Sequence, residues 1–303
     1  MALTAGWLLL AFLSTPLYTR AERPDGTAGA FPAELAEEVI LALYGFDFQT
    51  ADMLSSSLLS EHPDHYIAHF ARVYYYWWMM VADPQPEKFE QAYRRHIMQA
   101  IPLARQALDR EPDHAHAFFF INLHAMAARL DLQQGAWIRT MKNLRHCVVQ
   151  VERSMGLEKE FPGFYLTSGL YNYMTVQAAR RYPFLRLYSL LYPEGNRETG
   201  ITQLREAFRS DYPLWKTEAG YFLMRIFLDE EHDPERAEAY ASWLTETYPA
   251  NLVFQYYHLQ VLLAMGNEAA AISRKREIER MALQHPTLSQ AQRNHFLKLV
   301  NPR

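Results

Sequence analysis

The chain has 303 residues, half of them hydrophobic at 50%, with 19 Tyr, 17 Phe and 6 Trp, so a large core can form without covalent staples. Its formal net charge is −4 and no long run of basic residues appears, which argues against a nucleic-acid partner. The single cysteine, Cys147, allows no intramolecular disulfide and reads as a small buried hydrophobe. A catalytic thiolate beside His146 is disfavoured, because adjacent residues on a helix point about 100° apart.

In chain order, Ala5 to Leu13 is a continuous apolar run, ended by Pro16 and followed by Thr19-Arg20-Ala21. It is too short to span a bilayer comfortably, so residues 1–21 read as an export signal peptide cleaved after Ala21. The alternatives are a retained anchor over residues 2–18, giving membrane association, and a buried helix. Residues 22–31 form a short linker, and residues 32–303 show no Gly/Ser-rich or charged interruption, which predicts one continuous helical domain.

Its amphipathic pattern predicts helices over Pro32 to Leu43 and Thr50 to Leu59, joined at Tyr44 to Asp47. The next pair is His65 to Val81, a break at Asp83 to Glu87, and a long helix to Leu108. Asp113 to Leu132 and Trp137 to Met155 flank a turn at Gln133 to Gly135. A fourth pair begins with Phe164 to Arg181, carries an insertion over Tyr182 to Pro193, and resumes near Asn196. Two compact pairs follow, with turns at Glu230 to Pro234 and at Gly266-Asn267. Leu288 to Val300 closes the chain as a capping helix.

Between pairs stand six X-Pro steps, at Pro63, Pro112, Pro162, Pro213, Pro249 and Pro286, which gives periods of 49, 50, 51, 36 and 37 residues. Proline removes a helical N–H and pushes the preceding residue out of the α region, so each step separates one helix pair from the next. Upstream of Pro112 lie Ala100, Ala104 and Ala107, and upstream of Pro249 lie Ala237, Ala241 and Leu244; Ala51, Ser55 and Leu58 repeat the spacing before Pro63. With the helix, Gly turn and Ala-rich helix of Leu252 to Ala271, this resembles the tetratricopeptide repeat (TPR) family. The long periods and the segment Phe161 to Met174 are similar to a divergent branch of exported bacterial TPR proteins. The resemblance implies an all-α, right-handed α-α superhelix of about six helix pairs plus the cap. It also implies a non-catalytic scaffold or adaptor that holds a protein or peptide partner in a concave groove, periplasmic or secreted, with no cofactor. The positions matching the family's groove are Phe70, Tyr74, Trp77, His116, Phe119, Leu123, Tyr173, Gln177, Met224, Tyr256 and Gln260. They are mostly aromatic or amide, which favours an extended apolar segment.

Two clusters allow other readings. His62, His65 and His69 gather at one helix start, and His65 and His69 stand at i and i+4, the spacing of zinc ligands. Tyr66 occupies the position of a metallopeptidase glutamate. The shared Pro-Asp-His at Pro63 and Pro112 reads first as repeat chemistry, with Asp64 and Asp113 as helix caps, and metal binding as the alternative. The acidic turn Asp229 to Asp233 lacks the glycine and alternating ligands of a calcium loop. The aromatic helix from Phe70 to Met80, followed by Phe118 to Phe120, is either core or a groove for apolar material, including a hydrophobic small ligand.

Overall fold

The computed structural model describes residues 33–181 and 193–301. Residues 1–32, with the expected signal peptide and linker, and most of the expected insertion, 182–192, lie outside the described residues. Within them the chain is helical, with no strand, and no helix is long and apolar enough to cross a membrane.

The thirteen α-helices among the described residues are α1 (Ala33–Tyr44), α2 (Phe48–Glu61), α3 (Tyr66–Ala82), α4 (Glu87–Arg110), α5 (His114–Gln133), α6 (Trp137–Ser154), α7 (Phe164–Arg181), α8 (Arg197–Phe208), α9 (Pro213–Arg225), α10 (Pro234–Thr247), α11 (Leu252–Ala264), α12 (Glu268–Gln284) and α13 (Gln290–Val300). Their ends fall within about two residues of the expected ones because the stop and start signals are local. Asp113 takes the Ala115 N–H at 2.6 Å, as a cap should. At the equivalent place in α3, His65 Nδ1 takes the Ile67 N–H instead. Ser289 and Gln292 form a reciprocal capping box on α13. One element has no counterpart in the expected pattern: the backbone widens into a π-helical turn over Ile226–Glu230, directly after α9.

The contacts group into two compact units whose boundaries fall inside helices, at Phe70/Ala71, Tyr93/Arg94 and Ala219/Gly220. Of the described residues, the first takes 33, 64–70, 94–181 and 193–219, and the second takes 34–63, 71–93 and 220–301. In the first unit α5 packs on α6, α6 on α7, and α7 on α8. Ile121, Ala125, Leu144, Cys147, Val151 and Tyr171 form one part of its core, and Phe118, Phe161, Phe164 and Trp215 another. The backbones of α7 and α8 touch at Gly200: a Cβ there would lie 2.7 Å from Tyr173 N and 2.8 Å from Gly169 O. Only glycine permits that approach.

In the second unit α10 to α13 pack each on the next, and α11 also meets α13. Its centre is aromatic. Tyr44 stands edge-on to Trp78 at 5.9 Å and lies 5.3 Å from Tyr248, and Phe46, held at φ 63, packs on Phe48, Trp78 and Phe296. The buried Asn251 caps α11 through Oδ1 and donates Nδ2–H to the Tyr44 carbonyl, 207 residues away in sequence, at 3.0 Å. A linear array in which each repeat touches only its neighbours does not make such a contact.

Candidate functional site

The most chemically distinctive surface lies in the first unit, over α5 and between α4 and α6. Both flanking helices run antiparallel to α5. Arg94 of α4 reaches Asp131 at 2.9 Å and Gln134 at 2.7 Å, whereas Arg105, eleven residues on, lies over the Phe120 ring at 4.9 Å. On the other side Arg139 meets Asp131 at 3.0 Å, and His146 lies against His124 and Phe120, with ring centroids 4.5 and 6.2 Å apart. The floor is therefore Phe120, His124 and Asp131, all buried. Helical spacing places Arg94, Met98 and Arg105 along one wall and Arg139, Lys142, Asn143 and His146 along the other.

The electrostatics follow from who pairs with whom. Asp131 is 2% exposed and accepts from Arg94 and Arg139 at Oδ1 and from Asn143 Nδ2 at Oδ2. With its Nδ2 so committed, Asn143 offers Oδ1 to His124, 2.9 Å away, and the histidine carries its proton on Nδ1. Burial pushes the His124 imidazole down to about 4, with His146, Arg105 and Lys142 adding to the effect and Asn143 opposing it. Burial, then Arg105, Lys142 and Arg145, lowers His146 as well. At neutral pH the stacked imidazoles are uncharged, so the positive charge here belongs to Arg and Lys.

Much of that charge is uncompensated. Arg105 has only Asp109, at 3.8 Å. Arg139 uses Nε on Asp131 and leaves both terminal nitrogens facing solvent, with the side chain 59% exposed. Lys142 and Arg145 are exposed and make no ion pair among the described residues. Met98 is exposed on the α4 wall, and Ile138, one residue before Arg139 on α6, is 88% exposed. Arg139, Lys142 and Arg145 stand three residues apart, with no acidic residue between Trp137 and Val151. A search for runs of adjacent basic residues passes over them; their spacing on a helix is the signal that finds them.

The groove positions implied by the TPR resemblance behave differently. Phe70, Tyr74, Phe119, Leu123, Tyr173 and Met224 are each no more than 1% exposed, so they are core and not a surface for a partner. The cause is that these helices are apolar on more than one side and are covered on each. Phe70 packs edge-on to Phe119 at 5.5 Å, the Tyr74 hydroxyl lies 3.0 Å from that of Tyr44, and Gln177 Nε2 donates to the Tyr173 hydroxyl at 3.0 Å. Gln177 is buried too. Trp77, His116, Tyr256 and Gln260 are half-buried; Trp77 lies 6.5 Å from Tyr93, and His116 Nδ1 is 2.9 Å from the Glu111 carbonyl. The expected positions fall in both units.

His62, His65 and His69 do not converge on an ion: no group of three His, Cys, Asp or Glu among the described residues is placed to hold one. His65 stacks on Tyr66, and His69 Nδ1 lies 3.2 Å from His96 Nδ1, one ring donating and the other accepting. Cys147 donates its S–H to the Ile121 carbonyl at 3.3 Å, and burial pushes its thiol far up, away from the thiolate. His146 turns away from it to stack on His124.

A hydroxyl, imidazole and carboxylate do line up in the second unit. Thr245 Oγ1 is 2.9 Å from His258 Nδ1, and His258 Nε2 is 3.1 Å from Glu238. Thr245 and His258 are each 4% exposed, so an external acyl group cannot reach the hydroxyl, and the trio ties α10 to α11. Within the π-turn, Asp229 accepts from Arg225 Nε at 2.6 Å, and Arg225 lies 4.2 Å from the Tyr257 ring centroid.

The chain is thus an all-α protein of adjacent packed helix pairs. Comparison with family models, with curated proteins and with solved structures finds no match.

Proposed function

We propose that this chain is a non-catalytic, TPR-like repeat scaffold that binds a protein or peptide partner. The six X-Pro steps and the packing of helices in adjacent pairs support the repeat reading. The observation that carries the binding role is the surface between α4 and α6, where Arg139 gives only Nε to Asp131 and Lys142 has no acidic partner, beside the exposed Met98 and with Ile138 exposed on the same helix. Cations with hydrogen-bonding capacity to spare beside exposed apolar side chains are what a recognition surface presents. The apolar run of residues 5–13 supports placing that partner outside the cytoplasm.

A photoreactive amino acid at Ile138, compared with one at the exposed Ile272 of α12, tests this in the native host. A discrete crosslinked product from position 138 and none from 272 is expected. No product at 138, or the same products at both, refutes the α4/α6 surface as the binding surface.

A further inference from the structure

Going beyond that reading, we propose that this face of the first unit docks on an anionic lipid bilayer, which also brings the scaffold to partners carried in that membrane. The inference starts from the distribution of charge. The whole chain is negative at −4, yet α4 has no acidic residue from Gln91 to Leu108 and α6 has none from Trp137 to Val151. Over the same stretches α4 carries Arg94, Arg95 and Arg105, and α6 carries Arg139, Lys142 and Arg145. Arg95 aside, they meet on one face. Asp131 Oδ1 accepts from both Arg94 and Arg139. After burial, Arg105, Lys142 and Arg145 are what lower the His146 imidazole, so all three stand about that ring. Asn143 and His124 join Asp131 to His146, which makes the two groups one cluster. The acids paired with these cations among the described residues are the buried Asp131 and, at 3.8 Å from Arg105, Asp109.

The shape of the face selects the occupant. Each floor residue is already covered: Arg105 lies over Phe120, His146 stacks on His124, and Arg94 and Arg139 close on Asp131. Whatever binds therefore lies on the face rather than in it. A bilayer is such an occupant, because its phosphates are spread over a plane and cations from two helices can each find one. Each cation near an anionic surface is worth about fivefold in affinity. The start of α6 supplies the apolar part. Directly after the turn at Gly135, Trp137 and Ile138 are 47% and 88% exposed. An indole is favoured at the headgroup level, where its ring is apolar and its N–H stays wet, and an aliphatic chain beside it enters the acyl boundary. A nucleic acid meets the same cations but leaves Ile138 in water. A partner carried in the bilayer stays within reach of Ile138, which lies at the headgroup layer when the face is docked.

Vesicle flotation of the full chain decides the matter, with vesicles of phosphatidylcholine alone and of phosphatidylcholine with phosphatidylglycerol. The anionic vesicles are expected to bind about tenfold or more tightly than the neutral ones, and to lose that advantage as salt rises. Lys142 and Arg145 are exposed and make no ion pair among the described residues, so the double variant Lys142→Ala, Arg145→Ala keeps the fold. Its affinity for the anionic vesicles falls by about thirtyfold, the worth of two cations. Ile138→Ser lowers it by about tenfold, the worth of one aliphatic side chain taken from water. Equal binding to both vesicles, binding to neither, or full affinity in the double variant each overturns the inference, the last being what attachment through residues 5–13 alone gives. Full displacement from the vesicles by oligothymidylate at matched charge overturns it in favour of a nucleic acid. Crosslinking at Ile138 reads the scaffold proposal separately. A protein product there without preference for anionic vesicles leaves the scaffold standing and removes the bilayer. Anionic-vesicle binding that the double variant loses, with no protein product at 138, does the reverse.

Discussion

Two arginines of the second unit, Arg72 and Arg225, are used in the opposite way to Arg139 of the first. In the second, Arg225 is 5% exposed and Arg72 is 8% exposed. Arg72 reaches Asp52, Ser55, Ser56 and the Tyr76 hydroxyl through its terminal nitrogens, and Arg225 reaches Asp229 and the Tyr221 hydroxyl. Each also has an aromatic ring beneath it. Their charge is spent inside the unit, tying helix to helix. In the first unit Arg139 gives one N–H to the protein and turns the rest outward, and Lys142 and Arg145 give none. The number of cations matters less than where their counter-charges are. A buried, fully engaged guanidinium works for stability, and a half-engaged one on a fixed carboxylate keeps donors to spare.

Arg225→Ala should therefore have the largest effect. It leaves Asp229 without its 2.6 Å partner and opens space beside Tyr257, costing about 3 to 5 kcal/mol of stability. Urea unfolding followed by circular dichroism measures it. A loss under about 1 kcal/mol would erase the contrast between the units.

The first unit should respond to acid through His124. Its folded pKa of about 4 lies below the ordinary 6.5, so under pH 6.5 the unfolded chain binds a proton that the folded chain refuses. Stability then falls as pH drops, until the folded imidazole also protonates near pH 4. The contribution is up to about 3 kcal/mol. His124→Gln keeps an N–H for Asn143 and does not titrate, so its stability should decline less than the parent's between pH 6.5 and 4. Parallel pH profiles would show that His124 does not resist protonation in the fold.

The smallest expected change in stability is that of Arg139→Ala, about 0.5 to 1 kcal/mol, because the side chain is exposed and Arg94 and Asn143 still donate to the buried Asp131. The same urea series checks it. A loss comparable to that of Arg225→Ala would make Arg139 a structural tie and remove the reason to regard its outer edge as available.

How much of this was legible beforehand depended on the range of the interaction. The ends of α5, from the cap at Asp113 to the turn at Gly135, and the Gly266-Asn267 turn before α12 could be read directly, because a cap and a left-handed glycine act within four residues. The aromatic helix α3 announced burial but not which side faced what: Tyr74 became core, while Trp77 stayed half-buried. The π-turn after Arg225 carried no sequence signal, since no Gly or Pro stands within Ile226–Glu230.

By itself, then, the sequence determined an all-helical chain divided at its X-Pro steps, because helix propensity, capping and proline geometry are settled among near neighbours. Only the tertiary structure decided that Asn251 closes on Tyr44 across 207 residues, that the matched groove positions sink into core, and that Arg139 is aimed outward by Asp131. Each of these depends on which distant side chain supplies the missing hydrogen bond or counter-charge, and no local rule encodes that choice.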